Sequence, residues 1–74
     1  MIEDIYRILE EIKPEADFRN SDNFIDEMLL ESMDIICLVE KLENKYGFQF
    51  DLMDLLPETF ESAESIAEAV KKYQ

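Results

Sequence analysis

Apolar positions in this chain fall into three helical registers, separated by stretches that break the rhythm. Ile2, Ile5, Leu9 and Ile12 share one face with Ile8 beside them, and Glu3, Asp4, Arg7, Glu10 and Glu11 take the rest. That spacing predicts a helix over residues 2–12, stopped by Pro14, which cannot continue a helical hydrogen-bond ladder. Its two terminal glutamates meet the negative end of the helix dipole, an unfavourable placement worth a few tenths of a kcal/mol. Ile35, Leu38, Val39, Leu42 and Tyr46 stand at i, i+3, i+4, i+7 and i+11, the stripe of a buried helix face. This second helix is predicted over 32–46, with Gly47 supplying a left-handed stop. A last helix has Ser62 as its cap and Ile66, Val70 and Tyr73 as its face, with Ala63, Ala67 and Ala69 allowing close packing.

The connections are less regular. Residues 13–31 are polar at Asn20-Ser21-Asp22-Asn23 yet carry Phe18, Phe24, Ile25, Met28, Leu29 and Leu30. So many apolar anchors predict an ordered segment lying across the helices, not a free linker. Phe48-Gln49-Phe50 alternates like a strand but has no partner strand. It is read as a tight turn whose two rings plug the core. Asp51 to Leu56 reads as one short helical turn ended by Pro57. The expected fold is all-α: a small bundle of three to four helices with a long ordered loop between the first two.

Composition narrows the class. The 74 residues make a single domain, and a hydrophobic fraction of 47% argues against disorder although 35% of residues are charged. Nineteen acidic against seven basic residues give a net charge of −12, with no histidine. Nucleic-acid binding needs the opposite balance. Such a field steers basic proteins into encounter, and it also keeps a small protein soluble. The single cysteine, Cys37, excludes an internal disulfide, and its one near cation, Lys41, is weak grounds for a reactive thiol. No apolar run approaches the roughly 18 residues of a membrane span, and the start lacks the basic region of a secretory signal. The expectation is a cytoplasmic monomer.

Two serines precede apolar helical stripes, Ser32 and Ser62, and spacing alone gives each the same capping credentials. Met33 and Ile36 lie off the buried stripe of the second helix, where they are either ordinary surface scatter or a docking patch. Asp51, Asp54, Glu58 and Glu61 lack the glycine-containing pattern of a calcium loop. Nothing in the chain has the spacing of a phosphate-binding loop, a catalytic triad or a zinc site.

The segment Leu29-Leu30-Glu31-Ser32-Met33-Asp34, followed by Leu38, Val39, Leu42, Glu43, Tyr46 and Gly47, resembles the carrier-protein family, whose usual core reads Asp-Ser-Leu or Asp-Ser-Met. The approach Asn23-Phe24-Ile25-Asp26-Glu27-Met28-Leu29-Leu30 is similar to that family's Asn-Leu-Phe-x-x-Gly-Leu-Leu, with Met28 in place of the glycine. Asp54-Leu55-Leu56-Pro57-Glu58-Thr59-Phe60-Glu61-Ser62 resembles its Asp-Leu-x-Pro-Glu-Asn-Phe-x-Ser block, a variant of stand-alone peptidyl-type and D-alanyl carriers. The resemblance covers residues 23–70.

It implies that Ser32 carries a covalent 4'-phosphopantetheine arm derived from coenzyme A, whose thiol holds an acyl or aminoacyl group as a thioester. It implies a non-catalytic chain modified by a phosphopantetheinyl transferase and charged by an acyl- or aminoacyl-loading ligase or adenylation enzyme. Synthases or transferases with basic docking surfaces would then use the cargo, in fatty acid, polyketide or nonribosomal peptide synthesis. Glu31, Met33, Asp34, Ile36 and Glu40 are the expected partner contacts. Glu31 replaces the usual aspartate, Cys37 stands where many carriers have glutamate, and Glu40 where many have an apolar residue. The rival readings are a small acidic helical adaptor that is never modified, with Ser32 only a cap, and a degenerate carrier that keeps the fold without the arm.

Overall fold

A computed structural model describes all of residues 1–74. Three α-helices, α1 (Ile2–Ile12), α2 (Ser32–Tyr46) and α3 (Ala63–Lys71), are joined by segments carrying 3₁₀ turns at Phe18–Asn20, Leu52–Asp54 and Pro57–Phe60; there are no strands. The helix bounds follow the apolar periodicity. Gly47 ends α2 at φ 68°, and its amide donates to the Glu43 carbonyl. This is the left-handed cap that favours glycine.

The core is a single cluster. Ile5, Ile8 and Leu9 of α1, Leu38 and Leu42 of α2, and Ala63, Ile66, Ala67 and Val70 of α3 meet Phe18, Phe24, Leu30 and Phe60 from the connections. The alanines let α3 come close to its neighbours. The 13–31 connection therefore works as part of the core. Its Phe18 and Phe24 rings pack edge to face at 5.1 Å, and the Phe24 amide donates to the Glu61 carbonyl at 2.8 Å. Phe48 and Phe50 are half-buried plugs, packed on one another and on Tyr73.

Some details depart from the sequence reading. Met28 does not join the apolar anchors: it is 81% exposed. Its φ is 60°, the one left-handed residue besides Gly47. The backbone at position 28 thus takes the conformation a glycine would prefer, with a methionine side chain in its place. Pro57 does more than end the preceding turn; it opens the next one, Pro57–Phe60, where its fixed φ and missing amide cost nothing. Of the α2 stripe only Leu38 and Leu42 are fully buried, while Ile35, Val39 and Tyr46 are half-buried; Ile35 and Val39 border a groove.

Charge placement also finds partners that spacing did not show. The Arg19 guanidinium forks between Glu3, at 2.6 and 3.0 Å, and Glu10, at 2.9 Å. Lys41 on α2 lies 3.7 Å from Glu11. Both glutamates at the carboxyl end of α1 therefore have a cation nearby, which offsets the dipole.

Candidate functional site

Ser32 is the first residue inside α2, not its cap. The capping position falls to Glu31, and the helix start is secured by Asp34 three residues on: its carboxylate accepts the Glu31 amide at 3.0 Å. A carboxylate at this place satisfies an orphan amide and also meets the positive end of the dipole, so it displaces the serine from the capping task. Lys13, from just beyond α1, reaches the same carboxylate at 3.2 Å and lies 3.7 Å from Glu31. The Asp34 carboxyl is held below its usual pKa, first by the Glu31 amide and then by Lys13. The Lys13 ammonium is correspondingly raised by its bond to Asp34.

With the cap supplied from elsewhere, the Ser32 side chain is exposed and makes no hydrogen bond within the chain. Ser62 is the opposite case. Its Oγ accepts the Ser65 amide at 3.0 Å, and Ser65 Oγ in turn accepts the Ser62 amide at 3.1 Å. Ser62 is half-buried and fully engaged in starting α3. The two serines that spacing could not separate are separated by their hydrogen bonds.

Around Ser32 lies a hollow of about 440 Å³ lined by Ile25, Met28, Leu30, Glu31, Ile35 and Pro57. Ile35 and Pro57 also border a second, more apolar groove of about 360 Å³, formed by Ile36, Val39, Leu55, Leu56 and Phe60. Ser32 thus lines one of two adjoining hollows that share Ile35 and Pro57 and together make a trough between α2 and the 55–60 segment. Met33 projects into solvent, Ile36 and Leu56 are half-exposed at the rim of the groove, and Leu52 and Met53 add exposed apolar surface beyond it.

The expected partner contacts sort into two groups. Glu31, Met33, Ile36 and Glu40 face outward. Asp34 is only about one-fifth exposed and already committed to Glu31 and Lys13, so its first role is to hold the helix start. Cys37 is exposed on α2. The α2 segment carries three acidic residues against two lysines, and its outward face near Ser32 mixes apolar Met33 and Ile36 with acidic Glu31 and Glu40. Two features escaped the sequence reading. Lys13 had no signal beyond being a basic residue next to Pro14, and the trough's far wall, Leu55 and Leu56, required the tertiary fold.

Chemically, Ser32 is an accessible hydroxyl without a base of its own. The adjacent carboxyl, Asp34, has its proton affinity lowered by two donors, which makes it a poor proton acceptor. No protein-family model, curated protein or solved structure matches the chain. No helix is long and apolar enough to cross a membrane.

Proposed function

We propose that this chain is a carrier protein that holds acyl or aminoacyl groups on a 4'-phosphopantetheine arm attached to Ser32. The observation that carries this reading is the contrast in engagement: Ser32 is exposed and unbonded at the start of a 15-residue helix, while the capping work is done by Asp34. When bound, the arm supplies a thiol that holds its cargo as a thioester; everything else is positioning by the chain. The amides of Ser32 and Met33 are among those an α-helix leaves without an intrahelical acceptor, and they would meet an anionic phosphodiester at the positive end of α2. The trough from Ser32 to Val39 and Phe60 offers an apolar surface to whatever the arm carries.

The modifying base comes from the transferase, since Ser32 has none. Met33 and Ile36 flank the serine as apolar contacts, with Glu31 and Glu40 as the acidic residues a basic enzyme surface meets. A loading ligase or adenylation enzyme and the later synthases would read the same face. Incubation with coenzyme A and a phosphopantetheinyl transferase tests the reading: the intact mass should rise by one phosphopantetheine, on the peptide containing Ser32. The exposed set Leu52, Met53 and Leu56 favours docking with or without an arm, and so keeps an unmodified adaptor as the second reading. An unchanged mass after treatment selects it.

A further inference from the structure

Between Phe50 and Phe60 the chain buries no side chain. Residues 51–59 are exposed except for Asp54 and Thr59, which are half-buried. Leu52 and Met53 are 83% and 79% exposed. Both ends are anchored: Phe60 belongs to the core, and Phe50 packs against Phe48, Phe60 and Tyr73. Leu55 and Leu56, 39% and 48% exposed, give the segment only partial apolar cover, so the hydrophobic effect holds it weakly. Here the fastening is polar and concentrated at one place.

The Tyr73 phenol, just past α3, accepts the Asp51 amide at 2.8 Å and donates to the Asp54 carboxylate. Lys72 Nζ reaches the other oxygen of that carboxylate at 2.5 Å. Inside the segment, the Asp54 and Leu55 amides close the 3₁₀ turn on Asp51 and Leu52, and Asp51 Oδ1 accepts the Met53 amide. On its inner side the same segment presents Leu55, Leu56 and Pro57 as one wall of the apolar groove, opposite Ile35, Ile36 and Val39.

We propose that residues 51–56 form a strap that opens as a unit between its aromatic anchors, and that the Tyr73–Asp54 pair is the latch setting how often the groove wall lifts. The Asp54 carboxylate and Tyr73 hydroxyl are the moving part's only side-chain tie to α3's end besides Lys72. Because the Tyr73 ring also stacks on Phe48 at 4.8 Å, removing the hydroxyl alone leaves the packing in place. The inference concerns the groove and does not depend on modification of Ser32.

Native-state hydrogen exchange on the intact chain tests it. In Tyr73→Phe the amides of Met53, Asp54 and Leu55 should exchange roughly tenfold faster, the loss of about one exposed hydrogen-bond network from the closed state. The amides of Leu38 and Leu42 should keep their wild-type rates. Asp54→Ala should reproduce the effect, and the double variant should fall short of the sum of the two, since the Tyr73–Asp54 bond is lost in both. Binding of the neutral apolar dye Nile red should rise in the same variants. Unchanged exchange at 53–55, or acceleration spread evenly through all three helices, would overturn the strap. Fully additive effects of the two substitutions would overturn the latch.

Discussion

Ser32 and Ser62 look alike in the sequence and differ in what the fold asks of them. Both precede an apolar helical stripe, and both stand where a hydroxyl can satisfy an orphan amide. At Ser62 the fold uses the hydroxyl: Ser62 and Ser65 exchange hydrogen bonds, and Ser65 Oγ also donates to the Thr59 carbonyl. At Ser32 the register is shifted by one residue. Glu31 takes the capping position and Asp34, three residues on, closes the turn. The lesson is that a carboxylate at the right offset releases a neighbouring serine from structural duty. A hydroxyl freed in this way, on the surface and beside an apolar trough, is available for chemistry.

The largest effect sets the scale for this comparison. Leu42 is fully buried and Ile36 is 57% exposed on the same helix. Leu42→Ala should cost ~2–5 kcal/mol by denaturant titration, and Ile36→Ala should stay within about 0.5 kcal/mol while slowing modification of Ser32. Equal destabilisation by the two would mean that α2 presents a different face to solvent.

Next in size is the cap itself. Asp34→Ala should cost about 1–2 kcal/mol, because it removes both the amide acceptor and the partner of Lys13. If Ser32 were the true cap, the loss would be much smaller. The pH dependence carries the same signature. Asp34 has a native pKa below its unfolded value, so its stabilisation is complete above the unfolded pKa and is lost as pH falls through the native one. Asp54, held down by Lys72 and Tyr73, and Glu3, held down by Arg19, act in the same direction. Stability should therefore fall on acidification below about pH 4, and Asp34→Ala should show a shallower acid limb in urea titrations across that range.

The serines themselves come third. Ser62→Ala should lose about 1 kcal/mol, and Ser32→Ala should change stability by less than about 0.5 kcal/mol. Calorimetry of the two variants side by side reads this directly; a reversed order would restore Ser32 to capping. A small gain is expected at Met28. A left-handed non-glycine residue is strained, and glycine relieves the strain while loosening the unfolded chain. Met28→Gly should gain about 0.5 kcal/mol net, visible as a small rise in melting temperature. A loss would show that the exposed methionine makes contacts worth more than the strain.

The three helices were legible because each has a full apolar stripe, and their ends because Pro14, Gly47 and Ser62 each have a local stereochemical effect. The buried aromatic anchors of the 13–31 connection were legible too, since Phe18 and Phe24 have no other reason to interrupt a polar loop. What stayed hidden depends on contacts distant in sequence. Lys13 meets Asp34 across 21 positions and Lys72 meets Asp54 across 18, and no periodicity marks such pairs. The left-handed backbone at Met28 was concealed by residue type, which argues against it. The choice between Ser32 and Ser62 turned on a one-residue register at the start of α2, finer than apolar spacing resolves.

The central claim is that Ser32, and not Ser62, is the hydroxyl this fold leaves free for modification. The direct measurement is intact-mass spectrometry of wild type, Ser32→Ala and Ser62→Ala after treatment with coenzyme A and a phosphopantetheinyl transferase. The account predicts one added phosphopantetheine on wild type and on Ser62→Ala, and none on Ser32→Ala. Modification that persists in Ser32→Ala, or that never occurs on folded wild type, would contradict it.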